Sequence, residues 1–101
     1  MSTLHLLSHS PFGDDRLNSC LRLLSPGDGL LLCGEAVQAL RPGSQPRRQL
    51  DALPDDIALH ALDEDLLARG LTEQLPARLQ RLDYPAFVAC SLAFDKVNSW
   101  L

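Results

Sequence analysis

Long apolar runs and aromatic side chains are scarce in this chain of 101 residues, of which only 5% are aromatic. A helix that crosses a bilayer needs about 18 or more consecutive apolar residues, and the apolar runs here are far shorter. The N-terminal sequence MSTLHLLSHS also lacks the cationic start and the small-residue cleavage site of a signal peptide. We therefore expect a cytoplasmic protein that does not associate with a membrane.

Cysteine is also rare, and the three cysteines do not form a recognisable metal or disulfide pattern. Cys20, Cys33 and Cys90 are odd in number and lack CxxC spacing, so neither a disulfide framework nor a zinc site follows from them. His5 and His9 lie four residues apart on an extended segment, which separates them too far to share one metal ion. Because a glycine-rich phosphate loop after a strand is missing as well, we expect neither a metal nor a nucleotide cofactor.

Positive charge is in deficit, since 9 basic side chains stand against 13 acidic ones and the formal net charge is −4. Such a chain repels phosphate backbones, so direct binding to tRNA or to another nucleic acid is disfavoured. The one basic cluster consists of Arg41, Arg47 and Arg48, in a segment that contains two prolines and a glycine. Residues 41–48 are therefore predicted to form an exposed loop, which is either simply solvated or available for docking a partner.

Short apolar segments alternate with helical patterns along the chain. Apolar runs bounded by turn formers predict strands, whereas apolar spacings of three, four and seven residues predict helices. The predicted strands are 3–8, 30–33, 57–62 and 81–84, the predicted helices are 14–25, 34–40, 66–69, 73–79 and 85–94, and a tail covers 95–101. Short connections between parallel strands require crossovers. We therefore expect one domain over residues 1–101, a small α/β three-layer sandwich with a mostly parallel sheet of four to five strands.

Cys20 and Cys33 are the cysteines with the best-defined predicted surroundings. The spacing of helix 14–25 places Cys20 on its apolar face, and an apolar setting suppresses the nucleophilicity of a thiol. Cys33 ends a strand at the edge where open α/β sheets bind ligands, but Glu35 follows closely and a carboxylate disfavours a thiolate. Both cysteines are interpreted first as packing residues, while a nucleophilic role for Cys20 stays open.

Several segments, taken in order, closely resemble the TusB/DsrH family, and together they span almost the whole chain. They are Leu4-His5 with Ser10-Pro11, Gly27-Asp28-Gly29 followed by Leu30-Leu31-Leu32, Leu62-Asp63-Glu64-Asp65 followed by Leu66-Leu67-Ala68-Arg69-Gly70-Leu71, Asp83-Tyr84 with Phe87-Val88, and Trp100. Each segment is weak evidence alone, but their order is specific.

The resemblance implies a DsrE-like α/β fold and a subunit of a cytoplasmic heterohexamer, built from two copies each of three related small proteins. In one branch the sister subunits are TusC-like and TusD-like, and the complex relays persulfide sulfur from TusA toward TusE for 2-thiolation of tRNA wobble uridine. In the other branch, the DsrE and DsrF partners and a DsrC-type carrier serve sulfur oxidation. Contact with tRNA is only indirect in this picture.

The resemblance also implies that the main persulfide cysteine is on a sister subunit, in a loop near the sheet edge. This chain has Asp63-Glu64-Asp65 after its third predicted strand, with no cysteine there. We therefore expect a non-catalytic subunit, with Cys20 as an auxiliary persulfide carrier in the alternative branch. Obligate interfaces are apolar and rich in aromatic residues. The predicted interface residues are Tyr84, Phe87 and Trp100.

Overall fold

The apolar runs of the sequence form the centre of a parallel sheet. The computed structural model describes residues 2–100. The five strands within this range are β1 (Thr3–Leu7), β2 (Gly29–Leu32), β3 (Ala58–Leu62), β4 (Leu79–Leu82) and β5 (Lys96–Trp100). They lie in the order β4-β3-β2-β1-β5, and every neighbouring pair is parallel. The central strand β2 is buried along its whole length, as expected for a strand covered on both faces.

Helices cover both faces of this sheet. In chain order they are α1 (Arg16–Leu23), the 3₁₀ helix Gly34–Leu40, α2 (Gln45–Asp51), α3 (Asp63–Ala68) and α4 (Tyr84–Leu92). From β1 to β4 the chain moves one strand at a time in one direction, and right-handed crossovers place all the helices before β4 on one face. The connection from β4 to β5 returns across the sheet and places α4 on the other face. The predicted α/β three-layer sandwich is therefore confirmed.

The two faces, called here the helix-rich face and the α4 face, differ in how they are covered. On the helix-rich face, leucines of the strands pack against buried side chains from the helices before β4 in one continuous core. The members of this core include Leu7, Leu30, Leu32, Leu59, Leu17, Cys20, Val37, Leu40, Leu50 and Leu66. On the α4 face, Gly29 lies directly beneath the ring of Phe94, and a Cβ at this position would come within 2.5 Å of Phe94 Cζ. The absence of a side chain at Gly29 therefore allows Phe94 to approach the sheet.

The predicted loop over 41–48 is wrong, because its second half begins a helix. Ser44 caps α2, its hydroxyl accepting a hydrogen bond from the backbone N–H of Arg47 at 3.2 Å. Pro46 lies in the first turn of α2, where a backbone N–H has no intrahelical partner and a proline is tolerated. Pro46, one of the two prolines on which the loop prediction rests, therefore helps to start a helix.

The predicted tail and one predicted helix are also wrong. Residues 96–100 form β5, which pairs with β1 along its whole length, whereas Leu101 lies outside the described residues. Residues 73–78 lie between α3 and β4 without forming the predicted helix. The longest helix in the described part of the chain, α4, has 9 residues. No helix within residues 2–100 is long and apolar enough to span a membrane.

Candidate functional site

Cys33 lies at the carboxyl edge of the sheet, where open α/β sheets bind ligands. It follows β2 directly, and its Sγ donates a hydrogen bond to the backbone oxygen of Leu7 at 3.4 Å. Burial raises the pKa of the Cys33 thiol, and the nearby carboxylate of Asp65 raises it further. Because the thiolate is the reactive form, this arrangement keeps Cys33 in its unreactive protonated form.

The acidic first turn of α3, which follows β3 directly, is tied into the same edge. The backbone N–H of Gly34 donates to Asp65 Oδ2 at 2.8 Å. Arg69 forms ion pairs with Glu35 at 3.2 Å and with Asp65 at 3.6 Å. Exposed ion pairs of this kind add little to stability, but they fix the positions of the carboxylates. The edge therefore presents ordered carboxylates beside a protonated thiol.

Cys20 is placed inside the core of the helix-rich face. Its side chain is 0% exposed. Burial raises the pKa of the Cys20 thiol to about 12, with a further contribution from the carboxylate of Asp28. Sulfur exchange needs a thiolate with direct access to the incoming sulfur. This environment favours a packing role for Cys20, and the auxiliary persulfide role stays a prediction.

Thiol labelling tests the role of Cys20. In the native chain we expect iodoacetamide to modify Cys20 at least about 100-fold more slowly than in the urea-unfolded chain, because the thiol is buried and protonated. Peptide mass spectrometry over a labelling time course measures each cysteine separately, and the half-exposed Cys33 is the internal control. Rapid native labelling of Cys20 at neutral pH would instead support the persulfide role.

The three arginines of the predicted docking cluster mainly bond to their own chain. Arg47 pairs with Asp51, and its Nη1 donates to the backbone oxygens of Leu40 at 3.0 Å and Gln74 at 2.7 Å. The other two make single local contacts, from Arg41 to the Gln38 side chain and from Arg48 to the Gly43 backbone. Arg47 therefore ties α2 to its surroundings, and a docking role for the cluster stays a prediction.

The helix α4 presents an apolar surface that the sequence only partly indicated. Every side chain of α4 stays at least partly exposed. The rings of Tyr84 and Phe87 lie 5.7 Å apart, and Val88 and Leu92 continue the exposed stripe at helical spacing. We call Tyr84, Phe87, Val88 and Leu92 the α4 patch. Val88 and Leu92 were not predicted as surface residues, because α4 is apolar all round and its sequence does not show which side is bare.

Trp100 does not belong to the α4 patch. It is half-buried and packs against the core of the helix-rich face, in register with Leu7 of β1. Its indole Nε1 donates to His5 Nδ1 at 3.1 Å. The three predicted interface residues therefore divide between the two faces of the sheet, with Tyr84 and Phe87 on one and Trp100 on the other.

His60 is a buried polar residue that the sequence analysis did not single out. It lies on β3 beside Leu31 of β2, on the α4 face. Its Nδ1 has no hydrogen-bond partner within residues 2–100. Burial lowers the pKa of His60, so the ring stays neutral near physiological pH. Its cross-strand neighbours are Leu31 on β2 and Gln80 on β4, and a single buried imidazole at this position is explained by packing.

The cavities and side-chain clusters of the described chain do not resemble a small-molecule or metal site. Two surface cavities measure about 150 Å³ and about 180 Å³, whereas small-molecule sites usually span about 300–1,000 Å³. Within residues 2–100, no group of three or more histidine, cysteine, aspartate or glutamate side chains is arranged to hold a metal ion. The features that stand out are thus an ordered carboxyl edge and the α4 patch.

Comparison with known proteins gives matches over nearly the whole chain. A family model described as "DsrH like protein" matches residues 9–97. Protein TusB from Escherichia coli O139:H28 is 39% identical over 97 residues, covering 96% of this chain and 99% of that protein. Protein TusB from Shigella boydii serotype 18 matches equally well. The crystal structure of the ychN protein from E. coli superposes with a TM-score of 0.83, at 20% identity, covering 99% of this chain and 100% of that chain. At that identity the structural match indicates the fold alone.

Proposed function

Because this chain belongs to the family of DsrH-like proteins, we propose that it is a subunit of a sulfur-relay complex that serves 2-thiolation of tRNA wobble uridine. The name Protein TusB carried by its relatives favours this branch of the family. In this role the chain shapes the complex and the surroundings of a persulfide on a sister subunit. It does not itself carry sulfur through the main relay.

The state of the cysteines is the observation that carries this proposal. Burial raises the pKa of each of the three thiols, Cys20, Cys33 and Cys90. A carrier of persulfide attacks as a thiolate, and lysine, arginine or protonated histidine beside a thiol normally favours that form. Here the charged groups that act on Cys20 and Cys33 are the carboxylates of Asp28 and Asp65, which have the opposite effect. The acidic first turn of α3 likewise supplies no thiol.

The α4 patch supports a role in assembly. A chain of about 100 residues buries only part of its apolar surface alone, and α4 leaves Tyr84, Val88 and Leu92 exposed along one stripe. Apolar, aromatic-rich surfaces of this kind are typical of obligate interfaces. We propose that this patch contacts a TusC-like or TusD-like sister subunit in a cytoplasmic heterohexamer. The carriers TusA and TusE would then meet the complex through the sister subunits, and tRNA would be reached only indirectly.

A DsrH-type role in sulfur oxidation is the second candidate, favoured by the description of the matching family model. In that version the partners are DsrE, DsrF and a DsrC-type carrier, and Cys20 is an auxiliary carrier. The burial of Cys20 argues against the auxiliary step, although not against membership of such a complex. Pull-down of a TusE-type carrier and a DsrC-type carrier by the assembled complex separates the two branches.

Co-expression with the sister subunits tests the proposed function. We expect a stable complex in size-exclusion chromatography with light scattering, and we expect a donor to add sulfur to a sister subunit. Leu92→Glu should weaken assembly at least about tenfold, since it places a charge in an apolar interface.

Leu23→Glu is the matched control for this experiment. Leu23 is also an exposed leucine on a helix, 60% exposed against 79% for Leu92, but it lies on α1 across the sheet from α4. It should leave assembly unchanged. A chain that stays monomeric beside its sister subunits, or that carries the donated sulfur itself, would refute the proposal.

A further inference from the structure

A chain of hydrogen bonds links the end of β5 to the start of β2 through a buried histidine. Trp100 Nε1 lies 3.1 Å from His5 Nδ1, and His5 Nε2 lies 3.4 Å from Asp28 Oδ2. His5 is 5% exposed and Asp28 is 4% exposed. The carboxylate of Asp28 also accepts backbone N–H bonds from Thr3 and Ser25, each at 3.0 Å. Three strands are thus connected by one set of polar contacts.

The chemistry of the indole fixes the position of the proton on His5. An indole N–H only donates, so Nδ1 of His5 must be the acceptor in its contact with Trp100. The proton of the neutral ring is then on Nε2, from which it is donated to Asp28. A single tautomer therefore satisfies both neighbours at once.

The position of Trp100 makes this contact important for β5. β5 is an edge strand that pairs only with β1, and its residues before Trp100 are exposed. At the amino end of the strand, the backbone N–H of Ser2 donates to Asp95 Oδ2 at 2.9 Å. At the carboxyl end, the side-chain tie to β1 is the bond from Trp100 to His5. The two ends of the strand are therefore fastened by different contacts.

We propose that Asp28, His5 and Trp100 form a proton-controlled latch that fastens the carboxyl end of β5 to β1. When the ring takes up a proton from water, Nδ1 gains an N–H that points at the N–H of Trp100. Two donors then meet without an acceptor, and the bond to Trp100 is lost. The carboxylate of Asp28 keeps the imidazolium in place, so the indole is the group that leaves. The carboxyl end of β5 is then held only by its backbone pairing with β1 and by the packing of the indole, so it opens more often.

The other groups around His5 support this direction of opening. Its register partners are Leu30 on β2 and Asn98 on β5, neither of which carries a charge. The titratable group in contact with His5 is Asp28, whose carboxylate also acts on the Cys20 thiol of α1. The charged residue of β5 on the same face is Lys96, which pairs with Thr3 two residues away from His5. Burial acts to raise the pKa of Asp28, but hydrogen bonds from Ser25, Thr3 and His5 outweigh burial, and the pKa is lowered. The carboxylate of Asp28 thus stays ionised and is able to hold an imidazolium at His5. The latch concerns this chain alone and does not depend on the proposed function.

Three measurements on the full chain test the latch. Trp100 is the only tryptophan, so its fluorescence reports directly on the latch. As the pH falls through the range in which histidines titrate, about 8 to 5, we expect the indole emission to change. We also expect the protection factors of the β5 backbone amides, which correct for the pH dependence of intrinsic exchange, to fall about tenfold, while those of β3 stay constant. At the upper pH, ¹⁵N NMR should show His5 with its proton on Nε2.

Variants separate the latch from a general effect of pH. In His5→Gln the amide can accept from Trp100 and donate to Asp28 without titrating, so the protection factors of β5 should stay constant across the range. His9→Gln, at an exposed histidine, and His60→Leu, on the other face of the sheet, should leave the pH response intact. If β5 in His5→Gln still responded to pH as it does in the wild-type chain, the latch would be overturned. The latch would also be overturned if ¹⁵N NMR found the proton of the neutral His5 ring on Nδ1 in the wild-type chain. That measurement does not require any variant to fold.

Discussion

Leu30→Ala lowers the free energy of unfolding by about 3–4 kcal/mol, the middle of the range for truncating a buried leucine. Leu30 is 0% exposed and lies on β2, between β1 and β3, in the core of the helix-rich face. The strands on both sides hold β2 in place, so the cavity cannot close by a shift of the backbone. Because domains of this size are stable by only about 5–15 kcal/mol, the change should be clear in urea unfolding followed by circular dichroism.

The matched control for Leu30→Ala is the same substitution at an exposed leucine. Leu23, near the end of α1, is mostly in solvent. Leu23→Ala removes the same atoms without creating a cavity, and it should change the free energy of unfolding by less than about 0.5 kcal/mol. If the two variants unfold at the same urea concentration, the centre of the sheet is not packed as described.

Arg78→Ala lowers the free energy of unfolding by about 3 kcal/mol, because one guanidinium holds the turn that leads into β3. Arg78 donates to the backbone oxygens of Leu53 and Pro54 at 2.6 Å each and of Ile57 at 2.8 Å. Hydrogen bonds from a charged donor contribute about 1.5–3 kcal/mol each, and partial exposure of the turn reduces that sum. Removing the side chain takes the charged donor away from all three carbonyls, of which Pro54 keeps the bond from the Ile57 N–H, and thermal unfolding measures the loss.

Two further variants show whether the geometry of Arg78 matters. Arg78→Lys keeps the charge but has a single ammonium that cannot span three carbonyls, so it should recover less than half of the lost stability. Arg48→Ala removes one exposed bond to the Gly43 backbone and should change the free energy of unfolding by less than about 0.5 kcal/mol. Full recovery in Arg78→Lys would mean that charge alone, and not the three bonds, stabilises the turn.

The central strands could be predicted from the sequence because burial on both faces leaves a visible pattern. The run Leu30-Leu31-Leu32 has no polar position, which is typical of an inner parallel strand. β5 has no such pattern, since Lys96 to Ser99 are exposed at the sheet edge. Its conformation depends on pairing with β1, which lies more than 90 residues away in the sequence. Local propensity contains no information about that pairing.

The candidate site shows a similar division. The burial of Cys20 follows from helical spacing, and the acidic segment after β3 is visible in the sequence itself. The contact between Trp100 and His5 joins residues 95 positions apart, so only the tertiary structure reveals it. The exposed side of α4 also could not be predicted from the sequence, because a helix that is apolar on every side has no polar face to mark the side that faces solvent.

The pairing of the first strand with the last has a consequence for how the protein is made. While the ribosome is still adding α4, β1 has only β2 as a neighbour, and its other edge presents unpaired backbone groups beside Leu4 and Leu6. Open edges of this kind recruit other strands and promote aggregation. A nascent or prematurely terminated chain that ends before Lys96 is therefore a natural target for chaperones and proteases.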